Sequence, residues 1–215
     1  RFVYLSDAQQ LLEGRSRPEG SGVQVLTVGA VDYGEAAAPD SGQGSGHSGE
    51  WVHLPGTQAE VAALATLARS CGHDLVGLTA SEASEAAVCN AMQRAGVVHL
   101  ATHGYFDVAS GDSQFEEVPA LRAGLVLAGA NEPRASARDD GLLTADEIAY
   151  LDLSRCELAV LSACETALGS ERSGEGLMSL RRSFEIAGAD SVVASLWQVD
   201  DAATARIMGA FYRNL

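Results

Sequence analysis

Cationic side chains are scarce: 14 Lys and Arg stand against 29 Asp and Glu, a formal net charge of -15. Phosphates and anionic headgroups are held by clustered cations, so this balance argues against nucleic acid or membrane as partner and favours a basic peptide or protein segment. Cysteine is sparse too. Cys71, Cys89, Cys156 and Cys164 form no CxxC pair, and 215 residues with 47% hydrophobic content can bury a core without disulfide staples. They read as reduced thiols of a cytosolic protein. No apolar run approaches the ~20 residues of a membrane-spanning helix, and no charged-then-apolar leader opens the chain. There is no GxSxG elbow, no GxxxxGK(S/T) loop and no HExxH, so serine hydrolase, P-loop and zincin chemistries lack their residues. The one glycine fingerprint, Gly44 to Gly49, sits in a low-complexity stretch with Trp51 and Pro55 before the next helix, and lacks the strand–turn–helix context of a dinucleotide site.

What is present alternates between strand and helix patterns. Val23 to Val28 predicts a strand, and the Gly- and Ser-rich residues 29–55 predict a long flexible loop. Thr57-x-x-Glu60 is a capping-box pattern that predicts a helix to about Ser70. Asp74 to Leu78 predicts a strand, Ser84 to Ala95 a helix, Val97 to Thr102 a strand and Tyr105 to Leu121 a polar loop. Gly124 to Leu127 predicts a further strand; Thr144-x-x-Glu147 caps a short helix, and Leu158 to Leu161 predicts a strand. Ser170 to Gly176 reads as a surface or switch loop, Gly174 to Ala187 as a helix, Ser191 to Leu196 as a strand and Ala202 to Tyr212 as a helix. Such alternation implies parallel pairing through right-handed crossovers, and hence a three-layer α/β/α sandwich.

Two segments share a plan. Val97 to Gly104 is an apolar run ending in His103 and Gly104, and Glu157 to Glu165 is another ending in Cys164. If these strands are parallel neighbours, an imidazole and a thiol emerge together at the carboxyl edge of the sheet, where open α/β sheets place their sites. A histidine beside a cysteine makes a thiolate available at neutral pH, so the pair has the makings of a cysteine peptidase dyad. His99 alternates onto a strand face and reads as packing. Glu165 would raise the thiol pKa by like-charge repulsion, which suits a regulated enzyme.

The motifs Ala101 to Gly104 and Leu161 to Thr166, followed by Ser173 to Gly176, Ala187 to Ala189 and Ser191 to Asp201, with Asp140 to Glu147 between, resemble the CHAT domain. This is a caspase-like family often attached to tetratricopeptide repeats, with separases as distant relatives. The resemblance implies a single caspase-like sandwich over residues 1–215, a piece of a longer protein whose repeat region or partner could regulate it. It implies Cys164 as nucleophile, His103 as base, and the amides of Gly104 and Cys164 as an oxyanion hole. It implies protein or peptide substrates, with no metal or cofactor. Asp200 and Asp201 fall where separases recognise a basic residue before the scissile bond, though acids also suit the first turn of a helix. Trp197 either walls the substrate groove or fills core. The same fold could instead serve as a catalytically silent signalling scaffold.

Overall fold

The computed structural model describes residues 23–35, 51–106, 123–132, 139–162, 173–194 and 201–213. In chain order the strands are β1 (Gln24–Val31), β2 (Asp74–Ala80), β3 (Val97–Leu100), β4 (Gly104–Phe106), β5 (Ala123–Val126), β6 (Leu142–Thr144), β7 (Leu158–Leu161) and β8 (Val192–Ala194). The helices are α1 (Pro55–Ser70), α2 (Glu85–Met92), α3 (Ala145–Ala149), α4 (Ser173–Ala187) and α5 (Asp201–Arg213). A five-stranded sheet runs β2-β1-β3-β7-β8, and every described pair in it is parallel. Its inner strands are near-continuous apolar runs because helices cover both faces, as buried parallel sheets require.

The pleat sorts side chains between the two faces. Leu26, Val98 and Ala159 share one row, and Val28 sits beside Leu100 and Leu161 in the next. They belong to one core with Val88 and Met92 of α2, Ile148 of α3, and Leu180 and Phe184 of α4. Thr27, His99 and Val160 alternate onto the opposite face, where α1 packs on β1 and against α5. That makes the three layers of the expected sandwich.

Three features depart from the sequence reading. First, α1 begins at Pro55, with Leu54 as its N-cap and no side-chain cap, so the Thr57–Glu60 pair is not a capping box. Proline presets φ for the first helical position and takes that role two residues early. Thr57 Oγ1 instead donates to the Leu54 carbonyl (2.7 Å) and accepts from Ala30 N–H (2.9 Å), tying the helix start to the end of β1. Second, part of the expected polar loop is a strand: β4, β5 and β6 make a separate antiparallel sheet. Third, β1 continues to Val31, and α4 is already helical at Ser173, inside stretches expected to be loops. The box at Thr144 forms as expected, with Glu147 N–H donating to Thr144 Oγ1 and Thr144 N–H to the Glu147 carboxylate.

Glu85, the first residue of α2, is 8% exposed. Burial, and then the charges of Glu147, Asp140 and Asp139, push its carboxyl from the ordinary 4.5 up to about 7. The folded chain therefore binds this proton more tightly than the unfolded chain, and the unfolding free energy falls as pH rises between about 4.5 and about 7. Glu85→Gln is expected to remove that loss. With solvent screening discounted it gains about 1–2 kcal/mol at pH 8 and nothing at pH 4, read from urea unfolding at both pH values. A gain of equal size at both would contradict the assignment.

Candidate active site

β3 and β7 are parallel neighbours, with Leu100 opposite Leu161. The pairing continues past both strand ends: Ala101 N–H donates to Val28 O of β1 (2.8 Å), and Ser162 N–H donates to Leu100 O of β3 (2.9 Å). Ala101 and Ser162 therefore both lie at the same carboxyl edge of the sheet. His103 lies three residues beyond β3. Cys164 lies three beyond β7 and, with Glu165, Trp197 and Asp200, falls outside the described residues. Asp201 is the first residue of α5.

His103 is 4% exposed and enclosed by aromatic rings. Tyr33 stands 5.1 Å away and Trp51 5.4 Å away between ring centroids, both tilted, and Trp51 stands 6.2 Å from Tyr105. Its Nε2 lies 2.7 Å from the main-chain oxygen of Val52. A carbonyl can only accept, so Nε2 must carry the hydrogen, and in the neutral ring Nδ1 then holds the lone pair. A third group thus orients the imidazole. It went unread because a backbone oxygen leaves no mark in the sequence.

The backbone around His103 is fixed on the β5 side. Thr102, fully buried, donates through Oγ1 to the Val126 carbonyl, and Tyr33 OH lies 3.0 Å from the same Oγ1. With the Thr102 hydrogen committed to Val126, the tyrosine is the donor. Val126 N–H donates to His103 O at 2.9 Å, making that pair the bonded one. The next pair, Gly104 and Leu125, is the non-bonded one, and antiparallel alternation turns the Gly104 N–H away from β5. Gly104 is thus the first residue of β4, with its amide directed off the ladder.

Asn131 brackets Trp51. Its Oδ1 accepts from Trp51 N–H (2.9 Å), and its Nδ2 donates to Trp51 O (2.9 Å) and Gly34 O (3.2 Å). Its own N–H donates to Tyr33 O at 2.7 Å. The signal available in the sequence was weak, an asparagine in a short turn after a buried strand.

The remaining described thiols differ from a nucleophile. Burial pushes Cys156 up to about 12, and burial with Glu85 beside it does the same to Cys89. Cys71 is exposed. Among the described residues no cluster of His, Cys, Asp or Glu could hold a metal ion, and no helix is long and apolar enough to cross a membrane.

A parallel five-stranded sheet with helices on both faces is consistent with the caspase-like class of α/β sandwich. The CHAT domain family model matches residues 1–215, and the chain belongs to that family, within the caspase-like peptidase superfamily. A mouse (Mus musculus) relative, tetratricopeptide repeat protein 28, is 42% identical over 74 residues. That match takes in 34% of this chain and 3% of the relative's own length.

Proposed function

We propose that the chain is a cysteine endopeptidase in which Cys164 attacks a peptide bond and His103 moves the proton. The observation that supports this reading is the parallel pairing of β3 with β7, the strands that precede His103 and Cys164 in the chain, with the imidazole held through Nε2 by Val52 O. The Cys164 thiol gives its proton to His103 Nδ1 as sulfur bonds to the substrate carbonyl carbon. The developing oxyanion takes hydrogen bonds from the Gly104 and Cys164 amides, where each donor typically contributes on the order of 10²- to 10³-fold. His103 then protonates the leaving amine, and water, deprotonated by the same ring, hydrolyses the thioester. Neither metal nor cofactor enters these steps.

Asp200 and Asp201 supply the carboxylates that recognise an Arg or Lys before the cut, and Trp197 walls the groove. The formal charge of -15 favours such basic segments. A reducing cytoplasmic setting keeps the thiol available. The tetratricopeptide relative supports a repeat region or repeat partner as regulator. The test is cleavage of a positional peptide library by the full polypeptide that carries this chain, beside its Cys164→Ala and Asp201→Ala forms. Cleavage after basic residues that disappears with Cys164→Ala, and a basic preference that disappears with Asp201→Ala, is the expected result. No cleavage, with candidate partners included, would leave a binding scaffold.

A further inference from the structure

Val52, whose carbonyl orients His103, is an unexpected choice for a fixed group. The residue is 63% exposed, and it lies two positions before the N-cap of α1 rather than in a strand or helix. A loop carbonyl keeps a 2.7 Å contact only if its own chain is held. On the helix side, Thr57 holds the Leu54 carbonyl and fastens the turn to β1 through Ala30. On the other side Asn131 binds both the N–H and the C=O of Trp51, the residue preceding Val52. The same side chain also binds Gly34 O, next to Tyr33, whose ring packs on the imidazole. One carboxamide therefore joins the two segments that enclose His103, with three hydrogen bonds to their main chain.

We propose that Asn131 is a positioning residue that fixes the Trp51–Val52 backbone and so sets which nitrogen of His103 carries the proton. The proposal deepens the peptidase reading and rests on it for its kinetic consequence, but the imidazole it acts on can be observed without any turnover. Asn131 acts through the main chain of Trp51 and Gly34, so its loss changes the chemical step and not substrate binding. Alanine removes all three hydrogen bonds. Aspartate keeps the shape and the acceptor for Trp51 N–H, but loses the donors and turns a carboxylate oxygen toward the two carbonyls.

The experiment has two readouts on Asn131→Ala and Asn131→Asp. The first is the long-range 15N–1H spectrum of His103 in the Cys164→Ala background. It is expected to show Nε2–H in the parent and a shift toward the mixed tautomers of a free imidazole in both variants. The second is inactivation by a peptidyl acyloxymethyl ketone. The limiting inactivation rate is expected to fall about 10- to 100-fold with the half-saturating concentration unchanged. Folded variants that keep the parent tautomer and rate, or that lose binding and chemistry together, overturn the proposal. Should neither variant fold, the parent decides: an Nε2 proton without scalar coupling to the Val52 carbonyl carbon overturns it. A parent that is never labelled sinks the peptidase reading instead, while the tautomer still judges Asn131.

Discussion

His103→Gln is expected to slow alkylation of Cys164 by a peptidyl acyloxymethyl ketone by about 10²- to 10⁴-fold, the usual contribution of a positioned base. Glutamine is the informative replacement because its amide can still donate to Val52 O and occupy the box formed by Tyr33 and Trp51. It cannot accept a thiol proton. The loss therefore reports proton transfer rather than collapse of the pocket, and the melting temperature should move far less than for His103→Ala. The described cysteines supply an internal reference. Cys89 and Cys156, held at about 12, should stay unlabelled at neutral pH in both forms, and the exposed Cys71 is removed beforehand as Cys71→Ser. Mass spectrometry of the labelled peptide gives the rate directly. Equal rates with histidine and glutamine would mean that the thiol reacts without this imidazole, and the dyad assignment would fall.

The strand pair that makes this prediction was legible because each partner is a short buried apolar run ending in a reactive residue, a pattern fully carried by local sequence. So was the capping box at Thr144, which needs only four consecutive residues. The same spelling at Thr57 misled because Pro55 outranks a threonine as a helix starter, and because two long-range partners claim its residues: Ala30 takes the Thr57 hydroxyl and His99 takes the Glu60 carboxylate. The small antiparallel sheet escaped for a different reason. Its middle strand β5 matches the strand expected at Gly124 to Leu127, but β4 and β6 are three residues each, too short for any period to show, and exist through pairing with β5 across long separations. Within the site, His103 and Gly104 were readable as side chain and glycine. The groups that orient them were not, since Val52 contributes only an oxygen of the main chain and Asn131 acts from a turn far along the sequence.

Strand alternation alone suggests packing for His99, yet it is the centre of a buried polar cluster. Its Nε2 lies 3.0 Å from Glu60 Oε1, off the line of an aligned hydrogen bond, and its Nδ1 lies 3.1 Å from Tyr212 OH. A carboxylate can only accept, so Nε2 carries the hydrogen. Tyr212 then donates to Nδ1, and burial, with Glu60 nearby, raises its pKa so that the phenol keeps its proton. Glu60 and His99 are 4% and 0% exposed, so neither can turn to solvent for a replacement partner. Because α1, β3 and α5 each contribute one member, the cluster ties together both covering helices and the strand that leads to His103. Breaking one side is expected to cost stability unequally: Glu60→Ala, which leaves a neutral buried imidazole N–H without its partner, should lower the unfolding free energy by about 1–3 kcal/mol, and His99→Ala, which leaves the Glu60 carboxylate buried without a partner, by about 3–5 kcal/mol. Removing the whole cluster with Glu60→Leu, His99→Leu and Tyr212→Phe should restore most of that, because no buried polar group is left without a partner. Urea unfolding of the single variants, the double alanine variant and the triple variant checks both statements. A triple variant as unstable as the sum of the singles would show that these side chains act by shape alone. Strong non-additivity, with more than about 1 kcal/mol of coupling between positions 60 and 99, would establish that the polar contact itself holds α1 onto the strand.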